Sequence, residues 1–168
     1  TGGVFATQRT YQKDVRYLPL ALFPILIGIQ QFIEGIVWVS LETNEQDIIR
    51  TASLSYLFFA YMLWPFWVPY MTMQLENNES KKQLFKNFSK AGIFIGLLLF
   101  LPHFWQPEWL NTKIIYHSVA YQCTLITDSI FPSVVPYTIY LAIISLPPLL
   151  SSHRDLKIFG VGLIIFVP

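Results

Sequence analysis

Leu18–Leu41 reads LPLALFPILIGIQQFIEGIVWVSL, a run in which Glu34 is the only charge. A helix needs about 20 apolar residues to cross a hydrocarbon core about 30 Å thick. This stretch is long enough. Yet a carboxylate and two adjacent amides, Glu34, Gln30 and Gln31, stand inside it, where water should be scarce.

The rest of the 168-residue chain reads the same way. It is 54% hydrophobic and 17% aromatic, with only 12% charged residues, about half the share usual for soluble domains. A second span is expected over about Thr51–Leu75, where Pro65 and Pro69 each remove a helical backbone donor. They predict a bend or loosened turn between Tyr61 and Pro69. A short third span runs over about Ala91–Trp105, where Gly92 and Gly96 would let a neighbouring helix approach. The fourth covers about Val134–Leu150, and the fifth starts near Ile158. Between the third and fourth, the β-branched and aromatic mix of IIYHSVAYQCTLI suits extended structure better than a helix.

Charge parity supports five spans. Of the 11 Lys and Arg residues, three lie in 1–17, four in 76–90 and two in 151–157, against one each in 42–50 and 106–133. Basic residues favour the cytoplasmic side of short loops, which puts the first 17 residues and the loops at 76–90 and 151–157 inside. The fold class is therefore all-α: a polytopic transmembrane helical bundle forming a single domain over 1–168. Thr1 is not an initiator Met and the chain stops within an apolar run, so the expectation is a portion of a longer protein. One cysteine, Cys123, leaves no internal disulfide to form.

RYLPLALFPILIGIQQFIEGIVW, YLFFAYMLWPFWVPY and PPLLSSHRDLKIFG together resemble an uncharacterised family of bacterial integral membrane proteins, domain of unknown function 6629. Gln31, Glu34, Gly35 and Trp38 carry the first motif, Trp64 and Pro65 the second, and Ser152, His153 and Arg154 the third; His117 falls in a looser match. The resemblance implies about seven helices in the full protein, with Thr1–Phe5 the tail of a preceding span and more spans after Pro168. It implies no activity.

Helical spacing puts Gln30, Gln31, Glu34 and Trp38 on one face, since residues three and four apart are neighbours, and Gly35 beside them thins the helix for a partner. At 1.5 Å per residue, Glu34 falls about 7 Å outward of the span's midpoint. A charge at such depth costs about 3 kcal/mol on insertion scales, so it is expected to face a bundle interior or a cavity. Depth matching offers Ser55, Tyr56 and Tyr61 from the second span, and Tyr137 and Tyr140 from the fourth, as hydroxyl partners. The expected ligand or proton site is thus Glu34, Gln30, Gln31, Trp38, Tyr56 and Tyr61; the alternative is Glu34 as interhelical glue.

Other chemistry is less favoured. His103 and His117 fall on the outer side and His153 at the inner boundary, so they cannot share a zinc ion whose donors stand about 2 Å away. His103, His117 and Asp128 read as solvated loop residues. Ser151 and Ser152 before His153 read as a helix start, since adjacency in sequence is not triad geometry. No metal site is expected, no cofactor is indicated and no nucleic-acid motif appears. The functional expectation is an inner-membrane protein with a polar pocket around Glu34 that handles a proton, ion or small ligand. The alternatives are a membrane-embedded metal-dependent hydrolase, loosely like seven-helix lipid amidases, and a non-catalytic subunit recruiting a partner. Expected partners are the lipid bilayer, a small ligand or ion, and further helices in an oligomer or larger membrane complex.

Overall fold

The computed structural model describes residues 14–128, 131–132 and 134–166. Arg9, Lys13 and the expected tail of a preceding span at Thr1–Phe5 lie outside them. Helix α1 spans Leu18–Thr43, with Pro19 in its first turn, where a fixed φ is already helical. Asn44 ends it at φ 57°, a left-handed conformation that Asn tolerates, and the chain reverses at once into α2, Gln46–Leu57. A π-helical turn over Phe58–Leu63 leads into α3, Trp64–Leu75. The loosened turn expected from the two prolines thus begins just ahead of them. Pro65 cannot donate to the Tyr61 carbonyl and its ring crowds it, and the Trp64 N–H reaches five residues back to Phe59.

Helix α4 runs over Glu79–Phe100 and a short α5 over Pro102–Trp105. This corrects the expected loop at 76–90, which shrinks to the turn at 76–78. The side chain of Asn78 accepts from the Lys81 N–H, and Glu79 follows in the first turn, both strong helix-start signals. Strands β1 (Leu110–Ile115) and β2 (Ser118–Cys123) pair antiparallel, with Ile115 opposite Ser118, in the segment expected to be extended. Helices α6 (Val134–Leu150) and α7 (Arg154–Phe166) close the chain.

Helices α3 and α4 pack most closely at the two glycines. A Cβ at Gly96 would stand 2.5 Å from the Tyr61 carbonyl oxygen, and one at Gly92 would overlap the Pro65 carbonyl. Those are the two carbonyls that Pro65 and Pro69 leave without a regular α-helical donor. Glycine backbone, which can offer a weak Cα–H donor, fills the space against them. Ser89, one turn earlier on the same face, donates to the Phe66 carbonyl at 3.2 Å.

The core sits around Val68, Met71, Leu75 and Leu156, with Phe23, Trp64 and Phe159 packed against it. The exterior is apolar: Phe32 and Val39 on α1, Phe94 on α4, Val134 on α6, and Ile158 and Ile165 on α7 are each 61% to 71% exposed. Val15–Thr43 and Glu79–Trp105 are long and apolar enough to cross a membrane, and α6 is a shorter apolar helix.

Candidate functional site

Two recesses flank α1, one beside its N-terminal half and one beside its C-terminal half. The first is a cavity of about 400 Å³ between helices. Phe23, Ile27 and Gln30 face it from α1, stepping by four and three. Tyr56, Ala60, Trp64 and Val68 step by four along the α2–α3 rod, and Tyr140 and Ile144 do so on α6. Gln30 is held by the Trp64 indole N–H, which donates to its Oε1 at 2.8 Å. The Tyr56 hydroxyl lies within hydrogen-bonding reach of the Gln30 side chain.

The second is a groove of about 370 Å³ lined by Gln31, Glu34, Gly35 and Trp38 of α1 and by His117, Ser118 and Val119 of the hairpin. Gln31 Nε2 donates to Glu34 Oε2 at 3.3 Å, and among the described residues no Lys or Arg pairs with that carboxylate. Nothing approaches the Gly35 backbone where a Cβ would sit, so its thinned face is open. The hairpin turn holding His117 is strained. Tyr116 and His117 adopt φ 46° and 63°, the two left-handed positions of a two-residue turn that usually takes Asn-Gly.

The hairpin is pinned by Thr112, whose hydroxyl donates to Ser53 Oγ at 2.8 Å, and by Tyr121, stacked on Tyr56 with centroids 4.5 Å apart. Tyr56 lines the cavity, and both rings of the stacked pair lie in the neighbourhood of Glu34.

The six residues expected together are therefore distributed. Gln30 and Tyr56 line the cavity; Gln31, Glu34 and Trp38 line the groove. Tyr61 joins neither, lying within hydrogen-bonding reach of Cys123 and 6.1 Å, centroid to centroid, from His103. His103 is a correction: it is 1% exposed in α5 rather than solvated, because Pro102 starts a helical turn that rotates its ring inward. His117 and Asp128 are exposed as expected. Among the described residues no three His, Cys, Asp or Glu side chains group closely enough to hold a metal ion.

A polar cluster at the opposite end was not foreseen. Glu76, 3% exposed, accepts at Oε1 from the Asn77 and Asn78 N–H groups at 3.1 Å each. Its Oε2 accepts from the Ser152 N–H at 2.8 Å and the Ser151 hydroxyl at 3.3 Å. Burial opposes its ionisation most strongly, yet the N–H groups of Ser152 and Asn78, followed by further bonds from Ser152 and Asn77, outweigh it and hold the carboxyl down to about 2. Ser151 Oγ accepts from the His153 N–H just ahead of α7, while His153 Nε2 lies 2.7 Å from the Leu75 carbonyl. The imidazole thus engages backbone, and these residues form a structural tie rather than a nucleophile and its base. The acidic residue directly after a helix was the signal available in sequence; its partner, 75 positions on, was not.

A model of a family of unknown function, DUF6629, matches residues 2–166. The chain belongs to that family. No curated protein and no solved structure matches it.

Proposed function

From that membership and this geometry we propose that the chain is a polytopic protein of the bacterial inner membrane whose outer groove at Glu34 binds a small cation. Membrane residence is supported by the apolar exterior and by the basic residues gathered at alternate helix ends: ahead of α1, in the N-terminal half of α4 and in the first turn of α7. Soluble monomers rarely leave so many large apolar side chains in water. Five crossings, with the α1–α2 turn outside, follow from that charge pattern.

The binding reading rests on one observation: a half-buried carboxylate with an amide as its partner and, among the described residues, no cation paired with it, in a groove shared with an indole and a strained histidine-bearing turn. A carboxylate next to an aromatic face suits a monovalent metal ion or a small organic ammonium. Strained backbone is retained where surrounding structure holds it, often at a working site.

Thermal unfolding of the purified full-length protein in detergent tests this, with sodium, potassium and tetramethylammonium added at constant ionic strength. At least one cation is expected to raise the midpoint of the wild type and leave Glu34→Gln unmoved. Equal shifts in both proteins, or none in either, would refute a cation site at Glu34.

A further inference from the structure

The interhelical cavity differs in chemistry from the groove beside it. None of its described lining residues is charged, and its polar groups gather toward one end: the Gln30 amide and the Tyr56 and Tyr140 hydroxyls. Val68 and Leu163 close the other end, within the apolar core. At about 400 Å³ it has the size of a small-ligand site rather than a packing defect.

The hydrogen-bonding capacity left over at that polar end is specific. Gln30 Oε1 is occupied by the Trp64 indole N–H, so the amide nitrogen is the donor end; with one of its N–H groups in reach of the Tyr56 oxygen, the second N–H and the Tyr56 O–H are left to donate. Such an end recognises an acceptor oxygen on a neutral molecule. A cation would find no carboxylate here, and a sugar or nucleotide would leave most of its polar groups unpaired against Ile, Val and Leu. Flat aromatic surface lines the walls: Phe23 and Trp64 lie 5.1 Å apart, centroid to centroid, and Tyr56 is backed by Tyr121. The π-helical turn places the small Ala60 between Tyr56 and Trp64, leaving ring-sized room where a larger side chain would fill it.

We propose that this cavity binds a neutral, lipid-soluble molecule with a flat carbonyl-bearing ring and a short apolar tail, the chemistry of a membrane quinone. The ring carbonyl accepts from Gln30 and Tyr56, the ring lies against Trp64 and Phe23, and the tail runs toward Val68 and Leu163. Delivery of such a ligand from the bilayer rests on the membrane reading above; the binding chemistry does not.

Equilibrium titration of the purified full-length protein in detergent tests it, with intrinsic tryptophan quenching and thermal shift read together. The probes are a benzoquinone carrying one isoprene unit, an acyl ester of equal length and a plain alkane of equal length. The quinone is expected to bind saturably and to raise the unfolding midpoint. Gln30→Leu should weaken it about tenfold, the loss of one good buried hydrogen bond. Ala60→Leu, which fills the cavity and leaves Gln30 in place, should abolish it. Glu34→Gln should bind the quinone like the wild type, so failure of the cation site and failure of this proposal read out separately. Tighter binding of the ester or the alkane than of the quinone would overturn it, as would quinone binding that both cavity variants leave unchanged.

Discussion

Replacing Glu76 with glutamine asks whether one carboxylate ties together the α3–α4 and α6–α7 turns. Each of its oxygens accepts two hydrogen bonds, three of the four from backbone N–H groups. A glutamine keeps one oxygen and presents an NH₂ at the other corner, donor facing donor. A buried N–H left without an acceptor costs about 1–3 kcal/mol. The bonds that remain also lose the strength of an ionised acceptor. The titration leads to a similar figure. A carboxyl held to about 2 against its ordinary 4.5 carries roughly 3 kcal/mol of stability at neutral pH. Solvent beside the turn lowers that to roughly 2 kcal/mol. Glu76→Gln should therefore lower the unfolding midpoint by about 4–8 °C in a protein of this size. Because the folded value is depressed, this stability is fully present above 4.5 and is lost as the pH falls through about 2. The gap between wild type and variant should accordingly close across that window. Circular dichroism melts of the full-length protein in detergent, from neutral pH down to about 2, measure it. A gap that stays constant with pH, or midpoints within about 1 °C at neutral pH, would refute the reasoning.

Gly92→Ala drives a methyl into the Pro65 carbonyl and should cost about 3 kcal/mol, since backbone cannot step aside as a side chain can; Gly28→Ala, which meets nothing, should be neutral or slightly stabilising in the same melts. The double change Tyr116→Asn with His117→Gly relieves two left-handed residues and should stabilise the hairpin by about 1 kcal/mol. If the strained turn serves the Glu34 groove, the same change should remove the cation-dependent thermal shift, and a retained shift would detach His117 from the site. With Cys123 replaced, a cysteine at Glu45 should be labelled from the periplasm and one at Glu79 only after permeabilisation; labelling of both from one side would sink the five-crossing arrangement.

Much of the secondary structure was legible because its causes are local. The charge-poor run from Leu18 became α1, the bounds expected for Val134–Leu150 were those of α6, and β-branched IIYHSVAYQCTLI formed the hairpin. The largest departure, at 76–90, was also local in origin. Asn78 and Glu79 are helix-start signals that its charge made easy to read as loop. Gly92 and Gly96 suggested close helix contact but not with whom. The carbonyls they meet are set by Pro65 and Pro69 on another helix.

By itself, then, the sequence determined where the helices and the hairpin lie, the apolar character of the chain and its family, since each follows from composition and short-range pattern. Tertiary structure alone decided how the polar residues are grouped. Tyr56 and Tyr61 matched Glu34 in depth. Five positions apart across the π-helical turn, however, they leave on different faces, so Tyr56 reaches Gln30 while Tyr61 turns to Cys123 and His103. Glu34 parts from Gln30 because, one turn farther along α1, the element facing it is the β-hairpin turn and not a helix. The buried tie at Glu76 depends on residues 75 and 76 positions away. Spacing along one helix specifies which side chains share a face; what that face meets depends on how the other helices pack.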